Sequence, residues 1–309
     1  MSGVRWYKGN IHTHTTESDG DEDPYRVTSW YRRHGYDFLV LSDHNHLTLL
    51  DYGQGRRRFR KPLMVPGEEV TLRLEADGTP VHLNGIGISR VVEPIDAGDV
   101  VATLQANVDA IAEVGGIASI NHPNYEWAFG HREIAQVEGA SLLEVFNGHP
   151  VVNLLGAPGR PSCEEIWDGV LSAGRVIFGV ATDDSHHYHD FAPSRANPGR
   201  GWVVVRAAEL TQEAIVEGLA SGRFYASTGV TLTQVECSPE GIALDIEQER
   251  DFVYTTRFTG KEGALLAECT GTTARYRPTG EEDYVRATVT CSSGPRAWTQ
   301  PVFPLEKHG

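Results

Sequence analysis

Cysteine is scarce in this 309-residue chain: Cys163, Cys237, Cys269 and Cys291 are the only four, and no two form a Cys-x-x-Cys pair. That excludes a disulfide scaffold and a thiolate metal ribbon, and leaves them expected as small buried hydrophobes. Positive charge is also short, with 27 Lys and Arg against 42 Asp and Glu and a formal charge of -15. A surface that tracks a nucleic-acid backbone shows a basic face, so no nucleic-acid partner is expected. The one dense basic run, Arg56-Arg57-Arg58-Phe59-Arg60-Lys61, reads either as a solvated loop or as a phosphate contact. No segment approaches the roughly 18 apolar residues of a membrane span. The opening Met-Ser-Gly-Val-Arg-Trp-Tyr-Lys carries no apolar secretory core. The expectation is a cytoplasmic protein with no membrane partner.

What is present is a grammar of strand, polar cluster and helix. Asn10-Ile11-His12-Thr13-His14 places two imidazoles two residues apart, on one face if Lys8 to Thr13 is extended, and Asp19-Gly20 follows in a polar turn. Asp23-Pro24 is an N-cap and first-turn pair. Val27, Trp30 and Tyr31 then mark a buried helical face that Gly35 stops. Tyr36 to Leu41 is an apolar run of strand length ending in Ser42-Asp43-His44-Asn45-His46. Pro66-Gly67 leads into Glu68-Glu69, and Thr79 to Ile88 supplies a strand carrying His82. A helix from Asp99 to Val114 precedes the short strand Ile117 to Ile120, which ends in Asn121-His122-Pro123. Ser141 to Asn147 repeats the pattern with Glu144. Ser162-Cys163-Glu164-Glu165 is a capping box, and Val176 to Ala181 is a strand ending in Asp183-Asp184-Ser185-His186-His187. One more strand and helix, Trp202 to Val205 and Thr211 to Ala220, reach Gly229.

From about Val230 the pattern becomes short period-2 segments such as Ile242 to Ile246 and Tyr284 to Val289. The expected organisation is α/β: a barrel over 1–229, followed by a small β-sandwich-like accessory domain over 230–309. That tail is expected to supply no metal ligand, its only histidine being His308, and to cover one flank of the barrel with Phe252, Tyr254 and Trp298.

In a parallel barrel the residues after each strand converge on one mouth. The groups expected there are His12, His14, Asp19, His44, Glu69, His82, His122, Asp184 and His186. All are nitrogen or oxygen donors, a set suited to zinc, manganese or iron and unsuited to calcium. They exceed what one tetrahedral ion needs, so two to three divalent transition-metal ions are implied.

Taken in order, His-Thr-His-Thr, Ser-Asp-His-Asn, Pro-Gly-x-Glu, Asn-His-Pro and Asp-x-His resemble the PHP (polymerase and histidinol phosphatase) metallohydrolase family over roughly residues 5–229. The resemblance implies a distorted (β/α)7 TIM-like barrel with a trinuclear site. It assigns His12, His14, Glu69 and Asp184 to a first ion. Glu69 bridges to a second ion held by His82 and His122, and Asp19, His44 and His186 hold a third. Glu69 rather than Glu68 fits the family spacing after Pro-Gly. The later segments, Gly222-Arg223-Phe224-Tyr225 and Ala297-Trp298-Thr299-Gln300-Pro301 among them, resemble a two-domain branch that includes carbaryl-hydrolase-like enzymes acting on aryl carbamates.

Such a site implies hydrolysis, with Glu69, Asp184 and His186 carrying catalysis. Three readings compete: a phosphoesterase acting on a small anionic phosphate ester, a carbamate or carboxylic ester hydrolase, and a non-catalytic metal-binding module. The phosphoesterase is preferred, with Arg195 or Arg200 clamping the anion. Glu144 reads either as an orienter of a ligand or as a cap. His46, His149, His187 and His189 lie beside the motifs without an assigned role.

Overall fold

The computed structural model describes residues 4–50 and 62–304. The basic run from Arg56 to Lys61 and the terminal His308 lie outside the described residues. The order is β1 (Arg5–Asn10), α1 (Pro24–Arg33), β2 (Phe38–Leu39), β3 (Leu63–Met64), β4 (Gly67–Arg73), β5 (Pro80–Ile86), α2 (Val100–Glu113), β6 (Ile117–Ile120), α3 (His131–Ile134), β7 (Ala140–Asn147), α4 (Cys163–Ser172), β8 (Phe178–Thr182), β9 (Trp202–Ala207), α5 (Gln212–Ala220) and β10 (Phe224–Ser227). Seven strands follow: β11 (Leu232–Ser238), β12 (Gly241–Ile246), β13 (Tyr254–Thr259), β14 (Leu265–Thr270), β15 (Thr273–Tyr276), β16 (Arg286–Cys291) and β17 (Arg296–Thr299).

The helices start where their caps are. The Asp23 side chain accepts from the amides of Tyr25 and Arg26 with Pro24 in the first turn, and Ser162 with Glu165 forms a reciprocal box at α4. Val27 and Tyr31 of α1 bury against Tyr36, Leu39 and Leu41. Ile166, Trp167, Val170 and Leu171 of α4 enter the largest core cluster.

Strict parallel alternation is not what forms. Strands β6, β7 and β8 are parallel, as are β1, β2 and β3, but β5 runs antiparallel to both β4 and β6, and β9 antiparallel to β1. β4 to β8 make one sheet, while β1 to β3 belong to a nine-stranded sheet. Single parallel bridges, Thr13 to Ser185 and His44 to Glu69, join the two sheets at the end that carries the polar motifs. Through them β1, β2, β4, β5, β6, β7 and β8 follow one another as a ring.

The ladder does not stop at Val230. β10 pairs with β17, Tyr225 opposite Thr299, so the nine-stranded sheet runs from β3 through β1, β9 and β10 into β17, β16, β13 and β14. Strands β11, β12 and β15 form a second small sheet, and both sheets share one apolar core with Leu244, Phe258, Val285 and Val289. Trp298 and Tyr284 join the core of the first 229 residues, as the sequence suggested for Trp298, whereas Phe252 and Tyr254 join a second cluster in which the C-terminal strands meet Trp6, Trp202, Val204 and Tyr225. Cys163 and Cys291 are buried as expected, but Cys237 is exposed and Cys269 half-buried.

Charged contacts fasten the C-terminal strands to α4: Arg296 reaches Glu164 at 2.7 Å, and the most buried pair is Arg286 with Asp168. Arg286, buried, donates from Nε and Nη2 to the two oxygens of Asp168 at 2.7 Å each, and the Tyr284 hydroxyl donates to Asp168 at 2.9 Å. Asp168→Ala would leave the buried guanidinium with only the longer Glu164 contact at 3.5 Å and the Thr288 hydroxyl, and denaturant titration is expected to show a loss of about 3–5 kcal/mol.

Candidate metal centre

The loop after β1 is held from both sides. Asn10 Oδ1 accepts from the His12 amide at 2.8 Å, while Thr13 turns away to the hydroxyls of Tyr31 at 2.7 Å and Ser185 at 3.0 Å. His12 and His14 therefore face the same way past the strand end. Buried Asp43 accepts from the Thr15 amide and from the hydroxyls of Thr15, Ser18 and Thr48, which folds the following turn back on itself. Gly20 allows the closure, since a Cβ there would stand 2.8 Å from the His14 backbone. The turn brings Asp19 over His14.

The other donors come from the bridged ends of the strands. β2 leads to His44, β6 to His122, and β8 to Asp184 and His186, whereas Glu69 is the third residue of β4. His82 departs from the rule of strand C-termini. It lies near the start of β5, which reaches this mouth because it is antiparallel.

His12 Nε2 lies 3.3 Å from Asp184 Oδ1 and 3.4 Å from Glu69 Oε1; His14 Nε2 lies 3.2 Å from Asp184 Oδ1 and 3.5 Å from Glu69 Oε2. Both rings are fully buried, yet neither Nε2 makes a hydrogen bond. Glu69 Oε1 is 3.2 Å from His82 Nδ1 and 3.2 Å from His122 Nε2. Asp19 reaches His186 Nε2 at 3.3 Å and His44 Nε2 at 3.5 Å. Ligand atoms that each sit about 2.0–2.2 Å from one cation are separated by about 3.0–3.5 Å. The donors are thus spaced as edges of coordination shells, and orphaned buried nitrogens are costly unless a cation takes their lone pairs. Four candidate groups arise among the described residues: His14 with Asp19, His44 and His186; His12 with His14 and Glu69; His12 with His122 and Asp184; and Glu69 with His82 and His122.

A second layer fixes these side chains. Glu144, fully enclosed, accepts from His12 Nδ1 at 2.7 Å and from Thr182 Oγ1 at 2.6 Å through one oxygen, and from the His122 amide at 2.7 Å and Asn147 Nδ2 at 2.9 Å through the other. It therefore orients His12 and leaves its Nε2 facing the site. Asn121 donates to Glu69 Oε1 at 2.9 Å, and Asn147 to Asp184 Oδ2 at 3.1 Å. Asp184 and His122 have positive φ, +47° and +20°, a strained backbone of the kind that collects at functional sites. Glu68 points to the opposite side of β4, accepts from the Val92 amide, and is pushed up to about 7 by burial.

The charges are strongly interlocked. Burial and the neighbouring His186 push His14 down to about 4, so its ring is neutral. Burial opposes a charge on His12, but Asp184, Glu69 and Glu144 together raise its pKa well above the ordinary value. His44 behaves alike: burial opposes, Glu69 and Asp19 win, and its pKa rises to about 10. Burial favours protonating Glu69 and Asp184, yet the surrounding imidazoles hold both well below the carboxylate range. The carboxylates that raise the pKa of His12 and His44 would equally pair with a cation, so metal binding would compete with protons on these rings.

All nine expected metal ligands meet here, and the two expected anion clamps do not. Arg195, about half exposed, reaches Asp190 at 3.2 Å. Arg200 donates to the carbonyls of Gly148 at 2.7 Å and Ala192 at 2.8 Å, so its fork pins two loops. Neither lines the cavity, whose volume is about 130 Å³. His46 and His189 stay at the surface, and His187 lies behind His186, while His149 does line the cavity. Tyr125, Val151 and Val152 complete the wall. From the sequence, Tyr125 to His131 and Pro150 to Ser162 are the loops expected to shape the pocket, and these three residues lie in them. A larger cavity of about 770 Å³ lies elsewhere, between α4 and the C-terminal strands.

No family model and no curated protein matches the sequence. Among solved structures, the chain superposes on a two-domain protein from Bacteroides vulgatus containing a predicted PHP-like metal-dependent phosphoesterase. Identity is 20%, the TM-score is 0.53, and the match covers 94% of this chain and 92% of that one. This chain has the PHP-like fold. A Bifidobacterium adolescentis protein provisionally named a metal-dependent phosphoesterase (16% identity, TM-score 0.41, 61% of this chain and 89% of that one) and a Chromobacterium violaceum amidohydrolase with bound sulfate (16%, 0.40, 61% and 93%) fit less well. With a PHP-like fold around them, the nitrogen and oxygen donors support divalent metal use.

Two outcomes are expected, one from the competition between metal and protons and one from the hold of Glu144 on His12. The raised pKa of His44 stabilises the ion-free protein below its unfolded value near 6.5, and that contribution is lost as pH rises through about 10. Zinc or manganese must displace such protons, so the rise in Tm on adding metal should be larger at pH 8.5 than at pH 6, measured by scanning calorimetry. Glu144→Gln, which weakens the hold on His12, should lower metal affinity by about 10–100-fold, read by competition with a chelating dye.

Proposed function

We propose that the chain is a PHP-family hydrolase that cleaves a small phosphate ester at a trinuclear metal site. The observation that carries this reading is the pair of buried, unpartnered Nε2 atoms of His12 and His14 converging with Glu69 and Asp184. The shared fold supports the family reading, on which the ring of seven strands would be a distorted TIM-like barrel and 230–309 an accessory domain whose strands continue one of its sheets. His12, His14, Glu69 and Asp184 would hold one ion. Glu69, His82 and His122 would hold a second, and Asp19, His44 and His186 a third. When bound, such ions supply a water activated near neutral pH and positive charge opposite the reacting oxygens.

Charge favours an anion. Three divalent ions against the carboxylates of Asp19, Glu69 and Asp184 leave a surplus of three positive charges, while two ions leave one. A phosphate dianion suits the larger surplus. Since neither arginine reaches the cavity, the site itself must supply recognition of the anion. Glu69, Asp184 and His186 carry catalysis by fixing what lies between them, and Glu144 positions His12. The substrate is a small molecule and the location cytoplasmic.

One observation favours a second reading, a carbamate or carboxylic ester hydrolase: no Lys or Arg lines the cavity among the described residues, which suits a neutral substrate if only two ions are held.

Elemental analysis of metal-replete protein should give three ions per chain, and Glu69→Gln should lower both metal content and kcat, the latter at least about a hundredfold. In a broad ester panel the metal-replete enzyme should prefer phosphate monoesters. A hundredfold preference for aryl carbamates or carboxylic esters would overturn the phosphoester reading.

A further inference from the structure

The cavity wall that holds no metal donor consists of Tyr125, His149, Val151 and Val152. Tyr125 presents its ring to His82 and His122, at centroid distances of 5.9 and 5.4 Å. Its hydroxyl interacts with Arg73 and Glu126, which themselves pair twice at 2.8 Å. The ring rather than the hydroxyl is what the cavity sees. Glu126 and Trp127 both have positive φ, +51° and +58°, so the segment that carries this ring is held in a strained backbone.

The opposite side comes from the loop after β7. Asn147 Oδ1 accepts from the His149 amide at 2.8 Å, and Asn147 also donates to Glu144 and Asp184, so the loop is anchored on the same residues that fix the metal donors. The Val151 amide donates to His149 Nδ1 at 3.3 Å, which sets the ring and Val151 relative to each other. Val151 is 54% exposed at the rim. Asn124 and Asn153 exchange hydrogen bonds, each side chain to the other's carbonyl at 3.0 Å, and so tie the Tyr125 segment to the Val151 loop as two sides of one slot.

This slot has three apolar surfaces and one polar ring. A sugar or a nucleoside would need several fixed donors and acceptors along its length, and leaving its hydroxyls unpaired in such a slot is costly. From this, and resting on the phosphoester reading above, we infer that the Tyr125, Val151 and Val152 wall is the leaving-group subsite and that the substrate is the phosphate ester of a small apolar alcohol, alkyl or aryl. His149 supplies the slot's one hydrogen-bonding edge. The phosphoryl group lies over the metal donors, and the 130 Å³ volume leaves the far end of the alcohol against Val151 at the open rim.

The test is calorimetric titration of the metal-loaded full-length protein with phenylphosphonate, hydroxymethylphosphonate and orthophosphate, none of which turns over. Phenylphosphonate should bind at least about tenfold more tightly than hydroxymethylphosphonate. Val151→Ser, at an exposed position that does not threaten folding, should narrow that ratio about fivefold, and Val151→Phe should widen it. Metal content measured on the same samples should be unchanged. Equal binding of the two phosphonates, or a ratio that both Val151 variants leave untouched, overturns the subsite and leaves the phosphoester reading standing. Failure of orthophosphate and both phosphonates to bind removes the phosphoester reading, and the subsite falls with it.

Discussion

Glu69 is the constraint on which the rest depends. Its carboxylate is buried to 1% exposure, stays ionised, and lies within 3.5 Å of nitrogens from His12, His14, His44, His82 and His122. A buried charge is tolerable only when surrounded by compensating groups, and here the groups arrive from separate strands. The ring of strands must close for the compensation to exist. The His44 to Glu69 bridge, which joins the two sheets, lies at that same point. One of the two bridges that close the ring is therefore made by the residue at the centre of the site.

The enclosing shell extends that logic. Glu144 is saturated by four donors, Asp43 by another four, and Asp183 accepts from the amides of Gly199, Arg200 and Gly201 and from the Tyr31 hydroxyl. None of these three carboxylates carries the site's chemistry. Asp43 and Asp183 each turn a loop beside an inward-facing neighbour, His44 and Asp184, while Glu144 holds His12 and the His122 backbone directly.

The sequence was informative wherever a local rule decided the outcome. The caps at Asp23 and Ser162, the stop at Gly35 and the spacing of His12 and His14 are read from neighbours only, and each was legible. The donors were legible as well, because a metal site needs particular atoms that polar surface does not imitate in such a series. What failed was set by the choice of partners. The antiparallel course of β5 depends on which edge accepts it, and the alternation of residues says nothing of direction. Arg195 and Arg200 looked available because sequence alone does not show which neighbours a guanidinium will bond: Arg195 turns to nearby Asp190, and Arg200 to the Ala192 carbonyl. Arg200 is also satisfied in part by Gly148, more than fifty positions away.

The ladder that crosses Val230 has one further implication. Because β1, which leads into the metal loop, is linked edge to edge through β9 and β10 to β17, backbone hydrogen bonds run unbroken from the site to the C-terminal strands. Tyr284 and Trp298 also lie in the core of the first 229 residues. Parts joined in this way share their free energy of unfolding and have no plane along which to separate. The molecule is built to melt as one cooperative unit, and a ligand that tightens the metal loop would be felt as added resistance to unfolding at the far edge of the sheet.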